Sequence, residues 1–157
     1  ADAEAGATDP LMDELEALKD QAARQEEKYL RLAAEYDNFR KRTAKEKEAI
    51  WNDAKADAAL AFLPVYDNLE RALKQETADE AYKKGVEMTM NQLKTVLEKL
   101  GITEIEALGQ PFDPTLHNAV MHIEDENFGE NTVAEVFQAG FRLGDKVVRF
   151  AMVKVAN

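Results

Sequence analysis

Cysteine is missing altogether from the 157-residue chain, which excludes a disulfide framework and thiolate metal sites. Histidine occurs only twice, at His117 and His122, with no third ligand of suitable kind near either, so no metal site is expected. A lone histidine of this sort is read as a hydrogen-bonded structural residue. No apolar run approaches the ~20 residues that a membrane-spanning helix requires. Positive charge is in the minority. With 20 Lys and Arg against 31 Asp and Glu, the formal net charge of −11 disfavours phosphate backbones and anionic membranes, leaving other proteins as the expected partners. Nucleotide-binding glycine patterns and a G-x-S-x-G elbow are absent as well, so neither an enzyme nor a resident cofactor is expected. Seven glycines and four prolines are few for this length, and point to long helices with few loops.

What is present begins as an acidic, featureless stretch over residues 1–9, expected to be disordered. Asp9-Pro10 then offers an N-cap acceptor followed by proline at the first helical position. From Leu11 to Leu73 there is no glycine, and Pro64 is the one proline. A helix over 10–75 would run roughly 95–100 Å at about 1.5 Å per residue, too long for a small monomer to cover. Leu11, Leu15, Leu18, Ala22, Gln25, Tyr29, Leu32, Tyr36, Phe39, Thr43, Glu46 and Ile50 follow at alternating steps of four and three. All but Gln25, Thr43 and Glu46 are apolar. This is a heptad seam, so a coiled-coil homodimer is expected. In a parallel pairing Glu14 meets Lys19 and Glu35 meets Arg40 favourably, whereas Arg42 and Lys47 repel, a weak preference for parallel.

Beyond Ile50 the steps lengthen through Ala54, Ala58, Ala61, Val65, Leu69 and Ala72 to an eleven-residue repeat, about 3.67 residues per turn, which relaxes the left-handed supercoil. Pro64 is expected to bend or weaken the helix. Two interpretations stand: an imperfect coiled coil, or one poised to unwind at modest temperature. Thr77 and Glu80 have capping-box spacing and open a second helix over 78–100, with an apolar face of Tyr82, Val86, Met90, Leu93, Val96, Leu97 and Leu100. Gly101 terminates it as C′. Folded back on the long helix in a dimer, this hairpin makes a four-helix bundle. Gly85, inside the second helix, either answers a packing need or is neutral. Residues 102–157 change to period two. Strands are expected at 102–105, 119–123, 132–141 and 146–155, with turns at 109–111 and 144–145, a loop at 127–131, and a short helical turn from Asp113 to His117. The fold class is α+β: a long dimeric coiled-coil helix, a short bundle helix and a small C-terminal all-β domain.

Arg40, Lys41, Arg42, Lys45 and Lys47 cluster against the acidic background. The cluster is either solvated or a docking patch for an acidic protein surface, and it makes a poor basic-zipper arm because the heptads precede it.

Four segments resemble the GrpE family of nucleotide exchange factors. Residues 111–120, PFDPTLHNAV, are similar to its P-x-D-P-x-x-H-x-A segment, and residues 136–155 to its closing signature, with Gly-aromatic, Leu-Gly and Arg-x-Ala-Met-Val in order. Residues 34–42, AEYDNFRKR, resemble its A-E-x-x-N-x-R-x-R, and residues 63–72, LPVYDNLERA, its L-P-V-x-D-x-L-x-R-A, which accounts for Pro64. The resemblance implies a parallel homodimer. It also implies that one β-domain enters the cleft of a DnaK-type chaperone's nucleotide-binding domain and opens it, releasing ADP. Carried over, the family's contact residues fall on Arg40, Arg71, Gly85, Lys146, Arg149 and Val155. Phe112, Asp113 and Pro114 belong to its motif, with Asp113 and His117 open to a structural role. Lys146 stands where relatives often have Arg, and lacks the bidentate fork. An acidic chain with no transit-like opening suits a bacterial cytoplasm better than a mitochondrial matrix. The competing expectation is a passive coiled-coil scaffold or prefoldin-like holdase, which would not distinguish the chaperone's nucleotide states.

Overall fold

The computed structural model describes residues 9–157, so the stretch 1–8 of the expected disordered opening lies outside it. The chain divides into two units, Ala1–Ala49 and Ile50–Asn157. Helix α1, Pro10–Lys74, contributes to each. Its start is as the sequence predicts: Asp9 Oδ1 accepts from the Leu11 amide at 3.1 Å, and the Asp9 carbonyl accepts from Met12 and Asp13. In the first unit the helix surface carries i, i+4 ion pairs, Arg31 with Glu35 and Arg42 with Glu46. The seam residues Leu15, Leu18, Tyr29, Leu32, Tyr36, Phe39 and Ile50 are uncovered in the single chain, from 44% exposed at Leu15 to 70% at Tyr29.

In the second unit α1 is helical through Pro64, which stands on an exposed face of the helix. The stripe expected from Ile50 to Ala72 is exposed apart from half-buried Leu69. A second stripe is buried instead: Ala56, Ala59, Leu63 and Tyr66, with half-buried Leu73. Its steps of three, four and three put it on one face of the helix. The same stretch of α1 thus carries two apolar faces, one covered by its own chain and one open.

Helix α2, Glu80–Lys99, follows a short loop. Its cap corrects the capping-box expectation. Asp79, immediately before the helix, accepts from the Tyr82 amide at 3.0 Å, while Thr77 Oγ1 accepts from the Asp79 amide at 3.1 Å. Thr77 lies too far upstream to reach the first turn, and a carboxylate at the cap also answers the helix dipole. At the other end Gly101 takes a φ of 82° and its amide donates to Glu98, as a C′ glycine does. Met90 and Leu97 of α2 join Ala59, Leu63 and Tyr66 of α1 in one core, together with Ile102, Ala139 and Phe141. Tyr82, Val96 and Leu100, expected on the apolar face, remain exposed.

The remaining chain forms β1 (Ile102–Glu104), β2 (His117–Ile123), β3 (Thr132–Gln138), β4 (Phe141–Leu143), β5 (Lys146–Arg149) and β6 (Ala151–Ala156). One antiparallel sheet runs β1-β4-β5. The other runs β2-β6-β3, with β2 parallel and β3 antiparallel to β6. The two long strands expected at 132–141 and 146–155 are each broken, and their halves lie in different sheets. The breaks pack against each other: a Cβ on Gly140 would lie 2.4 Å from the Ala151 nitrogen. At Gly140 and at Phe150 the chain changes sheets, and the first crossing is possible only because residue 140 has no side chain. A second core of Ala107, Val133, Ala151, Val153 and Val155 fills the β2-β6-β3 sheet, with Phe112 and Val136 against it.

Candidate functional site

Strand β5 is short and turns out of the tight Gly144-Asp145 corner, Gly144 having a φ of 57°. Both of its ends reach α1. Lys146 Nζ donates to Asp53 Oδ1 at 2.6 Å, and this bond, with Asp57 nearby, holds the ammonium above the ordinary lysine range. Three residues on, Arg149 forks onto Asp67, with Nη1 on Oδ2 at 2.8 Å and Nη2 on Oδ1 at 2.7 Å. Its Nε and Nη2 also donate to the Ala139 carbonyl, and Gln138 Nε2 donates to Asp67 at 3.2 Å. Asp53 and Asp67 are two heptads apart, which places both carboxylates near one side of α1. Below them Tyr66 packs edge-on against Phe141 at 4.9 Å. Its hydroxyl donates to Glu104 at 3.2 Å, and burial, reinforced by that carboxylate, pushes its pKa well above the usual tyrosine range.

The turn carrying Phe112, Asp113 and Pro114 is built locally. Asp113 Oδ1 accepts from the Thr115 amide and hydroxyl at 2.9 and 2.6 Å, which holds the carboxyl below its ordinary range. The Asp113 carbonyl accepts from Leu116 and His117, closing the helical turn expected there. His117 is 4% exposed, and its Nδ1 accepts from the Asp113 amide at 3.0 Å. The proton of the neutral ring is therefore on Nε2, which finds no partner among the described residues. Burial pushes the imidazole pKa down. Phe112 lies against this ring, centroids 5.9 Å apart, and against the second core. Phe112, Asp113, Pro114 and His117 also line an open depression of about 500 Å³.

The other positions are dispersed. Arg71 is exposed, bonds Asn68 at 3.2 Å, and lines a groove of about 180 Å³ with Asp67, Lys74, Phe137 and Gln138. Asp67, the carboxylate that holds Arg149, therefore borders the same groove as Arg71. Gly85 is exposed on α2, and a Cβ there would meet nothing within 4 Å among the described residues. Val155 is buried near the end of β6, the middle strand of its sheet. In the first unit Arg40 and Lys41 both pair with Asp37, at 3.3 and 2.7 Å, so the basic cluster is partly neutralised along its own helix. Among the described residues no group of acidic, His or Cys side chains is placed to hold a metal, and no helix is long and apolar enough to cross a membrane.

Residues 2–157 match the family model described as GrpE. The chain belongs to the GrpE family. The protein named Protein GrpE from Clostridium acetobutylicum is 58% identical over 144 residues, covering 92% of this chain and 68% of that one. Its namesake in Clostridium beijerinckii is 57% identical over 131 residues, covering 83% and 63%. That of Bacillus velezensis is 46% identical over 147 residues, covering 92% and 75%. The chain thus spans roughly two thirds of the length of the clostridial relatives. In this GrpE-family fold, sequence reasoning passed over Asp53 and Asp67. Asp67 stands inside the L-P-V-x-D segment, and its two-heptad spacing from Asp53 is the signal that could have found both.

Proposed function

We propose that this chain is a dimeric co-chaperone that accelerates ADP release by binding the nucleotide-binding domain of a DnaK-type chaperone and holding it open. Membership of the GrpE family is the observation that carries this function. Dimerisation is supported by the seam from Leu15 to Ile50, whose apolar side chains a single chain leaves in water. A second copy would remove them from solvent, and would likewise cover the open stripe of α1 and the exposed Tyr82 and Val96 of α2 in a four-helix bundle. The dimer would be parallel.

The proposed contacts are Arg40, Arg71 and Gly85 from the helices and Lys146 from β5, with Phe112, Asp113 and Pro114 on the neighbouring turn. Lys146 has three ammonium protons and Asp53 takes one, so it can serve a partner without leaving α1. Arg149 and Val155, carried over with these contacts, would act from inside the fold, being enclosed by their own chain. No bond is made or broken. The factor binds the open, nucleotide-free form of the chaperone better than the closed form, and by linkage ADP must weaken its binding by the same factor.

Stopped-flow release of labelled ADP from a cognate chaperone tests this. Release should accelerate and saturate with dimer concentration. A scaffold or holdase would bind the two nucleotide states equally. Absence of acceleration at micromolar dimer would rule out exchange.

A further inference from the structure

We propose that Asp67 and Arg149 are a positioning pair that fixes how the β-sheets sit on α1, and that Arg149 serves partner binding through Asp67 instead of by touching the partner. This rests on the exchange function proposed above for its functional half, while its structural half stands on the geometry alone. The guanidinium has five N–H donors in a rigid fork. Four are engaged inside the chain, two by the Asp67 carboxylate and two by the Ala139 carbonyl. The side chains of Arg149 and Asp67 are only 14% and 18% exposed. The guanidinium also lies 5.8 Å from the centre of the Phe141 ring, so its apolar face is occupied. Little of Arg149 is left to present to another protein.

What the pair joins is informative. Asp67 belongs to α1, Arg149 ends β5, and Ala139 lies in the link between β3 and β4. One guanidinium therefore ties the helix to both sheets at the place where the chain crosses between them. Gln138 adds a second bond to the same carboxylate. The Lys146–Asp53 pair, at the other end of β5, is 45% and 61% exposed and single-pronged, so salt screens it and it cannot set an angle. A bidentate, desolvated fork resists rotation about its own axis, which a single bond does not. Because Lys146 is on the same four-residue strand, the direction in which it faces a partner is set by Arg149 and Asp67.

A double-mutant cycle in the full chain separates positioning from contact. In ADP release, Asp67→Ala and Arg149→Ala should each raise the half-saturating concentration roughly tenfold, and the double variant should be no worse than either. Since the chain has no cysteine, spin labels at Leu60→Cys, exposed on α1 outside both apolar stripes, and at Glu126→Cys in the loop before β3 report their spacing without background. Labelled chains diluted into excess unlabelled chain isolate the intra-chain distance. That distance distribution should broaden in both alanine variants with no chaperone present. It should broaden also in Asp67→Asn and Arg149→Lys, which keep volume but lose the charged fork. An unchanged distribution in these four variants would overturn the pair as a positioning device, whether or not ADP release responds. Asp67→Ala with wild-type half-saturation beside a weakened Arg149→Ala would make Arg149 a direct contact and overturn the proposal equally. If the wild-type chain fails to accelerate ADP release from the chaperone, the exchange reading falls, and the distance distribution alone decides the structural half.

Discussion

Gly140→Ala is the substitution for which the structure sets the sharpest expectation. A Cβ at this position would lie 2.4 Å from the Ala151 nitrogen and 2.9 Å from its Cα and Cβ. Two of those atoms are backbone, and Ala151 opens β6, the middle strand of the β2-β6-β3 sheet. Neither side can yield by rotating a side chain. Relief requires moving β6 or the link into β4, and Phe141, the next residue, is fully packed against Tyr66. The cost should lie near the upper end of overpacking penalties, about 3 kcal/mol. That corresponds to roughly a hundredfold increase in the opening equilibrium. Native-state hydrogen exchange of the Ala151–Ala156 amides measures it directly, in the regime where exchange follows the opening equilibrium. Gly85→Ala is the contrast, because a Cβ there meets nothing within 4 Å among the described residues. Gaining alanine's helix propensity, it should slow exchange in α2 by about fivefold. Exchange of β6 within threefold of wild type in Gly140→Ala would refute the close-approach reasoning. Faster exchange in α2 for Gly85→Ala would refute the open surroundings assigned to Gly85, and would place another chain against it.

Two further outcomes are expected. Burial lowers the folded pKa of His117 below its ordinary 6.5, so the stability it supports is complete above about pH 6.5 and is lost as pH falls through the lowered folded value. Urea midpoints between about pH 7.5 and 5.5 should decline in the wild type. They should decline less in His117→Asn, which keeps an acceptor for the Asp113 amide but cannot titrate; equal slopes would dismiss His117 as the cause. In the seam, Leu32→Asp combined with Phe39→Asp would bury carboxylates in the dimer interface. Sedimentation equilibrium at micromolar concentration should show the mass falling from two chains to one, and an unchanged mass would remove the seam as the dimer contact.

Much of the helical part was legible because its signals are local. A cap residue, a missing glycine, or a C′ glycine such as Gly101 acts within one turn of chain, and local sequence is enough to read it. The error at Thr77 is of the same scale: two acceptors lie two residues apart, and only the one adjoining the helix can reach the Tyr82 amide. Turn residues likewise locate the helical turn from Asp113 to His117 and the Gly144-Asp145 corner, because each acts within a few residues of chain. The buried stripe of Ala56, Ala59, Leu63 and Tyr66 was passed over because α1 carries two apolar faces and periodicity ranks them without saying which neighbour covers each.

What the sequence by itself determined is therefore the two helices, the cap that starts the first and the glycine that ends the second, the change to period two after Gly101, and the family. Tertiary structure alone decided where the long apolar runs break. Residues 132–141 and 146–155 keep strand-like composition throughout, because a chain passing from one sheet to another stays extended on both sides of the crossing. The break comes from Gly140 lying against Ala151, eleven residues away in sequence and in van der Waals contact in space. The same holds for Arg149. Composition offers it as one more basic side chain for a partner; the carboxylate of Asp67, 82 residues earlier, takes hold of it first.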